Sequence, residues 1–210
     1  MQLFQFLHNK IFHELLLKID HSLAQDVLEA GCQYCEGNLH VGDYPRKPHG
    51  LTSQFRDIYA ERLSFCCANC KKRNTPPSVR FFGRYWYVAP VLLLISALTR
   101  PINDKLIDKI YHFFSINVFK STIKRWRQWW HSVFALSTFW RQSKGIMPST
   151  IADITLPIPR ILMRLYGDVM EDTLLETLNF ITPISYGCLL YTSDAADDTP
   201  CVDLGGRRII

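Results

Sequence analysis

The sequence lacks an apolar run long enough to cross a membrane. Its best candidate, residues 88–98, is eleven residues long and contains Pro90, whereas a spanning helix needs about 20 apolar residues. No secretory leader is predicted either, since polar and charged side chains interrupt residues 1–19 and no small-residue cleavage site follows them. We therefore expect a buried helix at 88–98 and a cytoplasmic protein with no membrane partner.

The sequence also lacks the usual signatures of an active site. It has no glycine loop of the phosphate-cradling kind and no evident pairing of a nucleophile with a histidine. The carboxylates of residues 168–176 recur at helical spacing, and together with Asp153 they are the candidates for a two-metal site. Such spacing is typical of a solvated helix face. No catalytic residue is assigned, and a binding protein is favoured over an enzyme; a transposase or nuclease fragment whose catalytic part is missing or unrecognised is the alternative.

Residues 188–210 differ from the rest of the chain. They resemble a translated sequencing adapter of the transposase-tagmentation type, with residues 188–193 fitting the transposon end and 202–210 fitting the remaining adapter arm. We therefore treat this tail as non-native and expect the native reading frame to break off near Gly187. Without the tail, the chain keeps 22 basic and 15 acidic side chains and five of its seven cysteines.

The remaining sequence divides into four predicted segments. Residues 1–30 form an N-terminal helical segment, with Asp20 and Ser22 as candidate breaks and Gly31 as its end. Residues 31–75 form a loop-rich zinc-ribbon module, residues 76–147 a basic helical region, and residues 148–187 a C-terminal helical segment. The predicted fold is mainly α, with a small zinc ribbon and a helix-turn-helix bundle.

Two C-x2-C pairs predict a metal site, and they are Cys32 with Cys35 and Cys67 with Cys70. Each pair turns the backbone so that two thiolates face one ion, and two pairs complete a closed, tetrahedral structural zinc site. A disulfide is disfavoured because nothing marks the chain as secreted. The adjacent Cys66 is an alternative to Cys67, and His40 or His49 is an alternative to one of the cysteines.

Acidic side chains are scarce in residues 71–145, which hold 14 Lys or Arg and only two acids. Such an excess is the electrostatic footprint of a phosphate-binding surface, although a solvated basic face would look the same. Residues 103–114 and 119–134 predict two helices joined by a short turn, typical of a helix-turn-helix. Ile123, Trp126 and Trp130 share one face of the second helix and are expected to anchor it on the core.

The side chains expected to contact nucleic acid lie in the ribbon and on the outward face of this second helix. They are Arg46, Lys47, Lys71, Lys72, Arg73, Arg80, Arg84, Lys120, Ser121, Thr122, Lys124, Arg125 and Gln128. The residues near the helix start suit phosphate contacts, whereas Arg125 or Gln128 is long enough to reach base edges.

Four stretches of the chain, residues 44–48, 62–67, 73–84 and 122–130, resemble a family of bacterial proteins associated with mobile elements. The order of ribbon and helix-turn-helix also resembles the N-terminal part of insertion-sequence transposases. The resemblance implies a regulator or accessory factor that binds double-stranded DNA, although the doubled Cys66 and Cys67 depart from a standard ribbon knuckle. An alternative is a zinc ribbon that binds RNA or a protein, with the rings of residues 85–87 stacking on unpaired bases.

Overall fold

A computed structural model describes residues 7–49, 51–82, 87–98, 101–114, 116–146, 157–165 and 170–186. Several residues named above lie outside these ranges, and the predictions made for them stay predictions. They are Arg84, Tyr85, Trp86, Asp153, Asp168 and the whole adapter-like tail.

The described chain is mainly helical with two small antiparallel sheets, as predicted. Helix α1 (Lys10–Ala30) is followed by strands β1 (Leu39–Val41), β2 (Tyr44–Pro45), β3 (Glu61–Arg62), β4 (Phe65–Cys67) and β5 (Arg73–Asn74). The later helices are α2 (Ala89–Ser96), α3 (Asp104–Phe114), α4 (Lys120–Trp129), α5 (Thr138–Ile146), α6 (Ile158–Leu165) and α7 (Met170–Tyr186). Short 3-10 turns lie at Ser53–Phe55 and Asp57–Tyr59, and a π-helical turn at Trp130–Phe134 continues α4.

Helix α1 is continuous, so the predicted break at Asp20 and Ser22 is wrong. The helix begins after Asn9, whose side chain accepts a hydrogen bond from the Ile11 amide at 3.0 Å, and it ends before Gly31, as predicted. Asp20 lies on the buried face of the helix. A carboxylate is tolerated there because a buried arginine neutralises it, which the sequence pattern of α1 alone does not reveal.

The cysteine-rich segment is built on a three-stranded sheet in the order β1, β4, β5. In this sheet Leu39 pairs with Cys67, and Cys66 pairs with both His40 and Arg73. Strands β2 and β3 form a separate two-stranded sheet. Because successive side chains of a strand point to opposite faces, β4 can send only one of its two adjacent cysteines toward the cysteines of the first pair.

Most helices share one apolar core. All eight residues of α2 are buried, which confirms the buried helix predicted from residues 88–98. Ile123, Trp126 and Trp130 are buried in the same core, as predicted, and α6 and α7 contribute further aliphatic side chains. A second, smaller apolar cluster lies beside the cysteines and is formed by Ala24, Cys32, Leu39, Phe65 and Cys67.

The two helices of the predicted helix-turn-helix are present. Asn103 caps α3 by accepting a hydrogen bond from the Leu106 amide at 2.9 Å. Helix α4 packs chiefly on α2, however, and its backbone makes few close approaches to α3. The pairing that defines a helix-turn-helix therefore stays a prediction.

In the described ranges, every helix is too short or too polar to traverse a lipid bilayer.

A buried ion pair joins α1 to the segment that precedes α2. One carboxylate oxygen of Asp20 accepts hydrogen bonds from Arg80 Nε at 2.7 Å and Ser78 Oγ at 2.6 Å, and the other accepts from the Val79 amide at 2.8 Å. Arg80 also donates to two backbone carbonyls in the segment between the two cysteine pairs. Both charged side chains are almost fully buried. The pair therefore ties three distant parts of the sequence to one point.

We expect Asp20→Ala to lower the free energy of unfolding by about 3–5 kcal/mol, because it leaves the Arg80 charge buried without its partner. Chemical denaturation of the metal-loaded chain measures this loss. Asp26→Ala is the matched control, since Asp26 lies on the same helix and is exposed; its effect should stay within about 0.5 kcal/mol. Similar small losses for both variants would contradict the role assigned to the ion pair.

Candidate metal centre

Four cysteine sulfurs converge between the end of α1 and strand β4. The sulfurs of Cys32, Cys35, Cys67 and Cys70 all lie within 4.8 Å of one another. Those of Cys32 and Cys70 are 3.6 Å apart, and those of Cys35 and Cys67 are 3.4 Å apart. Each short distance joins one cysteine of the first pair to one of the second. The site therefore exists only when both pairs are folded together.

The two C-x2-C turns have matching backbone conformations. In the first turn the Glu36 amide donates to the Cys32 carbonyl at 2.7 Å, and in the second the Lys71 amide donates to the Cys67 carbonyl at 3.2 Å. Glu36 and Lys71 each follow the last cysteine of a pair and have φ values of 57° and 58°. This left-handed conformation is uncommon for residues with a side chain. It turns each chain back so that both cysteines of a pair face the same point.

The sulfur geometry fits a tetrahedral metal ion. A zinc ion with sulfurs at about 2.3 Å separates its ligands by roughly 3.8 Å, close to the distances observed. A disulfide would need about 2.05 Å, and all four cysteines are free thiols. Four thiolates with no other donor are a set that binds zinc or iron. The described residues thus contain a group that can hold a metal ion, and its four protein ligands leave no position open for a reacting water.

The surroundings of the four thiols shift their pKa values in opposite directions. Burial raises the pKa of Cys32, but hydrogen bonds from the Tyr34 amide and the Asn74 side chain are among those that outweigh it and lower the pKa to about 6. The Lys72 amide lowers the pKa of Cys70, but burial and the three neighbouring thiols together raise it to about 12. The four sulfurs cannot all be anionic on their own at neutral pH. A divalent cation removes this conflict, because it stabilises every thiolate at once.

The choice between Cys66 and Cys67 is decided by the sheet. Cys67 is buried among the four converging sulfurs, whereas the sulfur of Cys66 lies against Gly42 on the other side of the strand. The two histidines considered as ligands are also outside the cluster. His40 is exposed on β1, and the ring of His49 lies 5.7 Å from that of Tyr87.

Asn74, which was not predicted from the sequence, supports the site from strand β5. Its buried side chain donates to the sulfur of Cys32 at 3.5 Å and to the Lys72 carbonyl at 3.3 Å, and it accepts from the Gln33 amide at 3.1 Å. One amide thus fixes a ligand and links the two turns to each other. The only sequence signal was a polar residue four positions after the last cysteine, which is too common to be informative.

Two arginines predicted to contact nucleic acid make hydrogen bonds within the protein. Arg80 is 1% exposed and is paired with Asp20, so the prediction that it meets a phosphate is corrected. Arg73 is half-buried and donates to the Gly42 carbonyl and to Ser64 Oγ. The basic composition of residues 71–145 concealed this difference, since a count of charges does not distinguish a buried arginine from a solvated one.

The other predicted contact residues in the described ranges are at least partly accessible. Lys47, Lys71, Lys72, Lys120, Ser121, Lys124, Arg125 and Gln128 are exposed, and Arg46 and Thr122 are half-buried. Arg46 lies over the ring of Phe81 at 5.6 Å. The structure thus leaves two separate basic areas on the surface, one on the cysteine turns and one on helix α4.

We expect Cys67→Ser to abolish stable metal binding, because it removes one of the four converging sulfurs. Cys66→Ser is the matched control and should retain about one metal ion per chain, as a single four-ligand site requires. Metal content of the purified chains, measured by elemental analysis, checks both variants. Metal loss in Cys66→Ser with retention in Cys67→Ser would show that the third ligand is misassigned.

We expect Asn74→Ala to keep the four ligands but to weaken metal affinity by about 10–100-fold, the usual effect of losing a partner that orients a ligand. Competition with a chromophoric chelator measures the affinity. Asn38→Ala removes the same side chain at an exposed position of the same module and should leave the affinity unchanged. Equal affinities for the two variants would remove Asn74 from the metal site.

No family model, curated protein or solved structure matches this chain. Two features of the structure itself bear on function. One is the four-cysteine centre, which can hold a metal ion such as zinc. The other is the basic surface formed by helix α4.

Proposed function

We propose that this chain binds double-stranded DNA through the exposed face of α4 and is stabilised by a structural zinc ion on its four cysteines. In line with the resemblance described above, we propose a role as a regulator or accessory factor of a mobile element. The observation that carries the proposal is the exposed basic face of α4, which lies in a stretch of the chain without any acidic residue.

Zinc is the metal that the centre suits best. The ligand set is entirely thiolate and closed, which is typical of structural zinc sites. Such an ion adds its binding free energy to folding, because the unfolded chain has no preformed site. The two C-x2-C turns join the end of α1 to the three-stranded sheet, so a zinc ion would fix the cysteine-rich segment to the helical core. This role requires no chemistry at the ion.

The surface of α4 has the charge that a phosphate backbone attracts. Residues 116–146 contain six Lys or Arg and no Asp or Glu. Lys124 and Arg125 are exposed on the outward face of α4, opposite the buried Ile123 and Trp126. Lys120 forms an exposed ion pair at 2.6 Å with Asp104 of α3. An exposed pair of this kind is weak, and a phosphate can compete for the lysine.

The N-terminus of α4 strengthens this surface. No side chain caps the helix, and the first amides of a helix have no partner within it. These amides and the helix dipole favour a bound anion. Lys120 and Ser121, both exposed, lie at this end and would add a charge and a hydroxyl to the same phosphate contact.

A second basic element lies beside α4. The ring of Tyr87 contacts Trp126 of α4 at 4.9 Å and His49 at 5.7 Å, and the Val88 amide donates to the His49 carbonyl at 3.2 Å. These contacts bring the loop of residues 44–49, with exposed Lys47, next to the DNA-binding helix. A duplex placed against α4 would then meet basic side chains from two parts of the chain.

We expect a Lys124→Ala/Arg125→Ala variant to bind duplex DNA more weakly than the parent chain. The slope of log K against log salt should also be smaller by about two, because each lost phosphate contact contributes about one. Fluorescence anisotropy with a labelled duplex at several salt concentrations measures both quantities. Lys10→Ala/Lys18→Ala removes the same charge from the exposed surface of α1 and is the matched control.

Folding and metal content of each variant are compared with those of the parent chain. A folded, zinc-loaded parent chain that fails to bind duplex DNA even at low salt would exclude the proposed function. Equal losses in the α4 and α1 variants would show that binding follows overall charge and would exclude α4 as the specific surface.

A further inference from the structure

We propose that the cysteine turns carry a second nucleic-acid site, which takes single strands by stacking an unpaired base on Tyr34 and binding the adjacent phosphates with Lys71 and Lys72. This inference rests on the proposed function and adds a second contact surface to it. We call the three residues the knuckle surface.

The first observation is an aromatic ring that the fold does not use. Tyr34 lies between the two cysteines of the first pair, and 53% of its surface is exposed. Its ring belongs to neither apolar cluster of the described chain. The ring does contact Lys72, whose ammonium lies 4.5 Å from the ring centroid. An exposed aromatic ring beside a cation, on a turn with no packing role for it, is the arrangement found where proteins bind bases.

The second observation is that hydrogen bonds within both cysteine turns position the ring and the two lysines. The Tyr34 amide hydrogen-bonds the sulfur of Cys32, and the Lys71 amide donates to the Cys67 carbonyl at 3.2 Å. The ring therefore stands on one cysteine turn and the two lysines on the other, and the four-sulfur centre holds the turns together. Little backbone entropy is lost when a ligand binds such a preorganised surface.

The chemistry favours a single strand over a duplex. A base can stack on Tyr34 only if the ring face is free and the base is already unstacked from its neighbours, as in single strands. In the free protein Lys72 covers the ring through a cation–π contact. When a single strand binds, a base stacks on the ring of Tyr34 and a phosphate binds the ammonium group of Lys72. Each is a better partner than the contact between Tyr34 and Lys72 that it replaces. Exposed Glu36 is an acidic side chain on the same turn, and it carries one charge against the two charges of Lys71 and Lys72.

The knuckle surface is distinct from the aromatic residues 85–87 predicted to stack on unpaired bases. Of those, Tyr87 packs on Trp126 at 4.9 Å, and the other two lie outside the described residues. The sequence alone does not distinguish Tyr34, because a residue between two metal ligands looks like part of the zinc site. Only its exposure and its contact with Lys72 distinguish it.

The test uses the full zinc-loaded chain with three labelled probes, which are oligothymidine, oligouridine and a DNA duplex. We expect Tyr34→Ala to weaken binding of the single strands by about tenfold, within the range for one stacked base, while Tyr34→Phe binds as the parent does. Lys71→Ala/Lys72→Ala should lower the salt slope on single strands by about 1.4. Tyr111→Ala is the matched control, since Tyr111 is 55% exposed on α3.

The outcomes separate this inference from the proposed function. Parent-like binding of single strands by metal-loaded Tyr34→Ala, or an equal loss in Tyr111→Ala, overturns the knuckle surface while duplex binding through α4 stands. A loss in Tyr34→Ala on duplex as large as on single strands also overturns it, because stacking needs unpaired bases. Absence of duplex binding by the parent chain excludes the proposed function instead. The difference between oligothymidine and oligouridine shows whether the strand is DNA or RNA.

Discussion

The buried pair of Asp20 and Arg80 is the constraint on which the rest of the structure depends. It lies where α1, the segment between the cysteine pairs and the approach to α2 meet. Arg80 belongs to the approach to α2, and its guanidinium group hydrogen-bonds the other two parts directly. Both charges are out of water, so each is tolerable only because the other is present. The pair therefore fixes how the cysteine-rich segment sits on the helical core. Hydrophobic burial alone would hold these parts together without specifying a single arrangement.

The cysteine centre and the helical core depend on each other through α1. The N-terminal half of α1 packs in the main core with Phe12 and Leu16, and its C-terminal half reaches the small cluster beside Cys32 and Cys67. A metal ion on the four cysteines would join the C-terminal end of α1 to the three-stranded sheet. Such an ion would fix the orientation of a module whose short strands bury little surface of their own.

The two surfaces proposed to bind nucleic acid share one physical feature. In each, the basic side chains lie on a backbone segment whose position is fixed by other contacts. Helix α4 is held by Ile123, Trp126 and Trp130 in the core, so Lys124 and Arg125 face solvent. The knuckle surface is held by the cysteine turns. Arg80 and Arg73 show the opposite case, because their guanidinium groups satisfy carboxylate and carbonyl oxygens inside the protein. The fold therefore uses some basic side chains for internal hydrogen bonds and leaves others accessible to solvent.

The sequence by itself determined the elements whose cause is local. Each C-x2-C pair specified a turn that places two thiols on the same side, and the continuous apolar run at 88–98 specified a buried helix, because each depends on neighbours within a few residues. Tertiary structure decided the rest. Asp20 looked like a helix break until Arg80, sixty residues later, supplied its partner. Cys67 rather than Cys66 faces the site because of the strand pairing of β4. Asn74, the burial of Arg80 and the exposure of Tyr34 likewise follow from contacts between segments distant in sequence, and residue patterns along one segment carry no record of such contacts.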